Sequence, residues 1–136
     1  MTGRVLGLDV GEARIGVALS DPDRTVALPA GTITVAGAPH DLRAVADLVR
    51  EREVTEVVVG HPLTLKGERG AAASRAEEFA DGLRAVLDVP VRLQDERLST
   101  VEAERDLRRA GAGRRTRAVV DQAAAALILE RFLAGG

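Results

Sequence analysis

Hydrophobic and polar positions along the chain follow two periods, and the places where one gives way to the other divide it into elements. Val5 to Val10 (VLGLDV) reads as a buried strand and Arg14 to Ser20 (RIGVALS) as a second, with only Gly11-Glu12-Ala13 between them, the spacing of a hairpin. Beyond the turn-rich Asp21-Pro22-Asp23, Thr32 to Val35 predicts a third, antiparallel strand at a sheet edge. Leu42, Val45, Leu48 and Val49 recur at spacings of three and four, which predicts a helix from about Asp41 to Arg52 with Asp41 as its N-cap. Val57-Val58-Val59 lacks polar alternation, as a parallel strand covered on both faces requires, and it ends at Gly60.

The loop from Gly60 to Gly70 leads to a second amphipathic helix from about Ala72 to Leu87, and Val91 to Gln94 supplies a fifth short strand. Ser99 and Glu102 have capping-box spacing, so a helix is expected to run to about Ala110 and stop at Gly111. An arginine-rich turn then precedes a last helix, about Ala118 to Leu133. Three strands followed by helix, strand, helix, strand and two helices predict an α/β domain spanning residues 1–136. Its five-stranded mixed sheet has the order 3-2-1-4-5, with strand 2 antiparallel and helices on both faces. The first strand is central, and functional groups collect where parallel strands end at their carboxyl edge.

Composition narrows the chemistry. The 136 residues include no cysteine, which excludes thiolate zinc sites, thiol nucleophiles and a disulfide scaffold. No apolar run reaches the roughly 20 residues of a membrane span, so a soluble, cytoplasmic chain is expected. The net charge of -2 excludes a protein that coats nucleic acid by being basic throughout. Charge is local instead: from Arg105 to Arg117 six arginines stand against one acid, Asp106. A solvated helix end and a phosphate-binding patch both account for such a run.

Three carboxylates stand in costly places. Asp9 ends the central strand between Gly7 and Gly11, where a charge is partly desolvated unless a cation or donors compensate it. Acceptance of hydrogen bonds from the Gly11 turn is the structural alternative to metal ligation. Asp95-Glu96 ends the last strand; neighbours on a strand point to opposite faces, so only one can join Asp9, and Glu96 is preferred, while pairing with Arg97 is the simpler alternative. Asp121 lies one turn inside the expected last helix among Val119, Val120 and Ala123 to Ala126, or else caps a later helix start. Three hard oxygen donors converging from two strands and a helix would suit Mg2+ or Mn2+. The corresponding chemistry is hydrolysis of a phosphodiester. His61, in the loop after the fourth strand, is assigned at most an auxiliary role with substrate.

Four motifs occur in order: Gly7-Leu-Asp-Val-Gly11 with Arg14-Ile-Gly-Val-Ala18 and Ser20-Asp21; Val59-Gly60-His-Pro-Leu63 with Gly67; Asp95-Glu-Arg-Leu-Ser-Thr-Val-Glu-Ala103; and Val120-Asp121-Gln-Ala-Ala124. Together they resemble the YqgF/RuvX family of pre-16S rRNA nucleases and Holliday-junction-resolvase-like proteins of the RNase H-like fold. The resemblance spans essentially the whole chain. It implies Asp9, Glu96 and Asp121 as a catalytic, metal-binding triad, with Arg14 and the Gly60 to Gly70 loop, including Lys66, near the substrate. Arg97, Arg114, Arg115 and Arg117 are the further expected nucleic-acid contacts. His61 departs from the family, where a small or apolar residue is more usual.

Only two aromatic residues occur, Phe79 and Phe132, both at core-like helical spacing, so recognition is expected to follow backbone shape more than base identity. The implied partner is a precursor rRNA, a branched DNA, or both. Symmetric cuts at a junction call for two active sites and hence a homodimer; trimming one RNA end needs one. Two rivals bear on this reading. Gly7 to Gly11 also looks like the first phosphate loop of actin-like and sugar-kinase ATPases, but one copy of the fold leaves no second phosphate loop, and Gly60 to Lys66 lacks Walker A spacing. A non-catalytic RNA-binding ribosome-assembly factor is the other, and against it stands the retention of three acids near a polyanion.

Overall fold

A computed structural model describes residues 3–63, 69–96 and 114–135, with side chains from residue 119 onward in the last segment. The elements are β1 (Arg4–Val10), β2 (Arg14–Ser20), β3 (Ala27–Thr34), α1 (Ala38–Glu51), β4 (Val54–His61), α2 (Ala71–Val86), β5 (Val91–Asp95) and α3 (Arg114–Leu133). The five strands form one sheet in the order β3-β2-β1-β4-β5, with β1 central. β1 runs antiparallel to β2 and parallel to β4, and β4 runs parallel to β5. The expected topology is the observed one. Among the described residues no helix is long and apolar enough to cross a membrane.

Alternation along each strand divides the core between the two faces. Leu6, Leu8 and Val10 of β1 pack with Ile15, Val17, Val57, Val59, Val45 of α1, and Ala76, Ala80 and Leu83 of α2. Val5, Ala18 and Val58 point the other way and meet Ala125, Ala126, Ile128 and Leu129 of α3. Phe79 packs against the first cluster and Phe132 against the second, so both aromatics belong to the core. Each fully buried Leu or Ile contributes about 1.5–3 kcal/mol relative to exposure.

Several boundaries differ from the sequence expectation. β3 begins at Ala27, five residues earlier than expected, because an edge strand tolerates Pro29. Pro29 stands opposite Ala18, where the register shifts, and Gly31 has φ +112, a backbone that favours glycine. α1 begins at Ala38, with Gly37 as N-cap and a proline in its first turn. Asp41 therefore lies inside that turn and reaches back, its Oδ1 accepting from the Ala36 N–H at 3.0 Å and its Oδ2 from the Gly37 N–H at 3.3 Å. α3 begins at Arg114, so Asp121 lies two turns inside it and caps nothing. The helix expected over Ser99 to Ala110 lies outside the described residues, as do Lys66, Gly67 and Arg97.

One buried acid went unforeseen. Glu56 faces the α3 side at the far end of the sheet from the strands' carboxyl edge, and its carboxylate accepts from Arg24 Nη1 at 3.0 Å and from Arg92 Nε. Arg24 adopts φ +59 and also donates to the Gly3 carbonyl at 2.8 Å, which ties the turn after β2 to the start of β1.

Candidate active site

Asp9 sits near the carboxyl end of β1, directly opposite Gly16 of β2. Residues directly opposed in an antiparallel pair project to the same face. A β-carbon on Gly16 would lie 2.0 Å from the Asp121 carbonyl oxygen and 3.1 Å from its Cα. Gly16 thus admits the α3 main chain onto the sheet, and Asp9 shares the face that α3 covers. Gly7 is a second close approach, where a β-carbon would lie 3.0 Å from Leu129 Cβ and 3.2 Å from the Ala125 carbonyl. The alanines of α3 and the strand glycines are two halves of one contact.

Glu96 approaches the same region from the other side. Parallel pairing aligns Gly7 with Val58 and Leu8 with Val59, so one step along the ladder Asp9 is level with Gly60. A β-carbon on Gly60 would lie 2.8 Å from Glu96 Cδ and 2.5 Å from Ile128 Cδ1. The Glu96 carboxylate fills that place, and the residue is 3% exposed. Its N–H donates to the His61 carbonyl at 3.3 Å, continuing the β4–β5 ladder one residue past the strand. Asp95 pairs with His61 in register and by alternation faces α2 instead. Of the two neighbouring acids, Glu96 is the one on the face of Asp9.

Asp121 completes the group through Arg14. Arg14 opens β2, two residues before Gly16 and on the same face, and its Nε donates to Asp121 Oδ2 at 2.7 Å across 107 residues of chain. Arg14 is therefore paired with one of the three acids, Asp121. The three carboxylate-bearing residues share one end of one face, yet among the described residues no three His, Asp or Glu side chains are gathered so as to hold an ion as they stand. The donor chemistry nonetheless fits a hard divalent cation: the groups are carboxylates, and the absent β-carbons leave space for the Asp121 main chain at Gly16 and for the Glu96 carboxylate at Gly60. The side chains of Arg114, Arg115 and Arg117 lie outside the described residues, but the main chain puts all three in the first turn of the helix that carries Asp121.

His61 shares the edge but not the face. Its Nε2 lies 2.6 Å from Glu77 Oε2 on α2, and the same carboxylate accepts from Arg69 Nε at 2.9 Å. Hydrogen bonding from Arg69, then from His61, holds the Glu77 carboxyl below the usual carboxylate range. Glu77 thus fastens residues on both sides of the β4–α2 connection. The sequence reading missed the part played by Gly16 and Gly60; glycine inside an otherwise apolar strand is the signal that marks a close approach.

Comparison with known proteins gives the family and the fold. A family model described as RuvX, Holliday junction resolvase, matches residues 3–135. The chain belongs to the RuvX family. RuvX-family membership makes it a nuclease, an enzyme that hydrolyses phosphodiester bonds. It is 52% identical over 138 residues to a protein of Rhodococcus opacus (strain B4) named "Putative pre-16S rRNA nuclease", covering 96% of this chain and 77% of that one. A Roseiflexus sp. (strain RS-1) protein of the same name is 47% identical over 134 residues, covering 96% of this chain and 94% of the relative. Among solved structures, Thermus thermophilus RuvC in complex with Holliday junction substrate superposes with a TM-score of 0.61 at 13% identity, covering 98% of this chain and 95% of that one. Fowlpox virus resolvase, solved with Holliday junction DNA, gives 0.55 at 13% identity and 97% of each chain. These likenesses establish for the RuvX-family chain an RNase H-like fold of the RuvC type.

Proposed function

We propose that the chain is a divalent-metal-dependent endonuclease that cuts structured nucleic acid, acting in 5' end maturation of pre-16S rRNA, in resolution of Holliday-type DNA junctions, or in both. One observation carries the reading: Asp9 lies between two strand glycines, one covered by the main chain of Asp121 and the other by the carboxylate of Glu96. Like charges brought to one place beside a polyanion's cleavage site are costly without a cation to offset them.

In this reading Asp9, Glu96 and Asp121 are the catalytic residues and the ligands of Mg2+ or Mn2+. When bound, the ions supply Lewis-acid activation of water and stabilisation of the leaving oxygen. The Glu96 carboxylate lies over Gly60 in a residue that is 3% exposed, which keeps it on the face of Asp9. Arg14, Lys66, Arg97, Arg114, Arg115 and Arg117 bind backbone phosphates, which position the substrate without reading its sequence. The relatives named for pre-16S rRNA and the fold neighbours crystallised on Holliday junctions support the two substrate classes. A homodimer belongs to the junction arm of the proposal only, because paired cuts need paired sites.

The test is cleavage of a four-way DNA junction and of a 5' extended 16S precursor, each with Mg2+, Mn2+ or chelator, by wild type, Asp9→Asn and Asp121→Asn. Cutting that requires metal and is lost in both variants is the expected result. Amide variants that cut at the wild-type rate overturn the site assignment. If neither substrate is cut with any metal, a nuclease-like scaffold that only binds RNA replaces it.

A further inference from the structure

We infer that Arg14 is a built-in competitor of the divalent ion for the Asp121 carboxylate, a positioning residue that lowers the affinity of the site for metal until nucleic acid draws the guanidinium away. The inference rests on the metal-dependent reading above and adds a coupling between metal and substrate to it. The bond itself is the first observation: Arg14 Nε reaches Oδ2 of Asp121 at 2.7 Å, so the guanidinium already engages the carboxylate that would hold an ion.

Partial burial is the second observation. The side chains are 32% and 24% exposed, sheltered enough for the attraction to count and open enough for partners to exchange. Third, each end is anchored by its own main chain. Arg14 is paired with Thr34 of β3, and Asp121 is seated on Gly16, so the two groups meet because the fold brings them together.

Two consequences follow from charge and stoichiometry. An oxygen engaged by a guanidinium is a poorer ligand, and a fixed positive charge beside it opposes the approach of a second cation. A stronger Arg14–Asp121 pair means weaker metal binding, and by whatever factor substrate raises the affinity for metal, metal raises the affinity for substrate, since coupling between two ligands is reciprocal. A substrate phosphate is a rival anion for Arg14. Its arrival releases Asp121 to the ion, so nucleic acid and metal bind with positive cooperativity, and the site is completed only on substrate.

Calorimetric titration of the full chain with MnCl2 tests this directly. Arg14→Gln is expected to bind Mn2+ at least about five-fold more tightly than wild type while cleaving less. Arg14→Lys, which keeps the charge, is expected to stay within about two-fold of wild type and serves as the readout should the Gln variant fold poorly. In an Asp121→Asn background, Arg14→Gln should leave Mn2+ affinity unchanged. A Gln variant that binds Mn2+ no more tightly than wild type overturns the competition alone. So does a Lys variant that tightens binding as much as five-fold. A wild type that binds no Mn2+ overturns the metal reading of the site and this inference together.

Discussion

The main chain of Asp121 occupies the space in which residue 16 would carry its β-carbon, with the carbonyl oxygen 2.0 Å from that position. Because the obstacle is backbone, no side-chain rotation relieves it. Gly16→Ala is expected to lift the start of α3 from the sheet and cost about 1–3 kcal/mol, read as a lower urea midpoint. Cleavage should fall further than stability explains, because the same shift carries Asp121 away from the face that Asp9 and Glu96 share. An alanine variant with unchanged midpoint and activity would contradict this packing.

Gly60 predicts the opposite balance. A β-carbon there meets Ile128 Cδ1 at 2.5 Å and Glu96 Cδ at 2.8 Å, both far ends of side chains that can turn aside. Gly60→Ala should therefore cost only about 1 kcal/mol in denaturant. Its effect on rate should be large, about 100-fold, since a displacement of roughly an ångström is enough to disorganise a reacting centre. Comparing kcat with the unfolding midpoint for the two glycine variants separates a helix seat from a carboxylate seat.

Asp41 gives the fold a dependence on acid. Burial pushes its carboxyl up, but hydrogen bonding from His40 and from the Ala36 and Gly37 N–H groups outweighs this and holds it below its ordinary value of 3.8. A carboxyl depressed in the folded state binds protons more readily when unfolded, so stability rises with pH. That contribution is complete above the ordinary value and is lost as pH falls through the lower, folded one. Asp41→Ala should cost about 1 kcal/mol at neutral pH, as loss of an N-terminal helix cap does, and flatten the acid limb of a melting-temperature profile between pH 5 and pH 2.

Nucleic-acid binding should carry the signature of the arginine run. Replacing Arg114 and Arg115 together by alanine is expected to weaken binding of a DNA junction and reduce the slope of log Kobs against log salt by about 0.9 for each phosphate that the pair neutralises. Binding measured from low to physiological salt checks it. An unchanged slope would remove these residues from the interface.

Much of this arrangement is written in short-range pattern. The alternation in VLGLDV gives the central strand its two faces, and the same alternation distinguishes Glu96 from Asp95. Long-range partners are what local pattern cannot supply. Glu56 reads as one polar residue in an apolar strand, and its partners lie 32 and 36 positions away. The early part of β3 is hidden by Pro29, which only an edge position makes tolerable. The start of α3 is hidden too, since Gly111 and Gly113 read as a turn while arginine is a good helix former. His61 was legible at the edge, but its facing Glu77 depends on where α2 crosses the sheet.

The sheet is closed on its two sides by different materials. Toward α1 and α2 the strands present leucines, valines and an isoleucine, whose volumes can be traded among neighbours with modest loss. Toward α3 the strands present Gly7, Gly16 and Gly60 beside Val5, Ala18 and Val58, and a hydrogen atom is the largest tolerated substituent at the Gly16 seat. Drift under selection for foldability will accordingly be lopsided: one layer can wander through sequence space while the other stays nearly frozen. The frozen layer is the one on which the carboxylates depend, so the chemistry is insured by the intolerance of its own support.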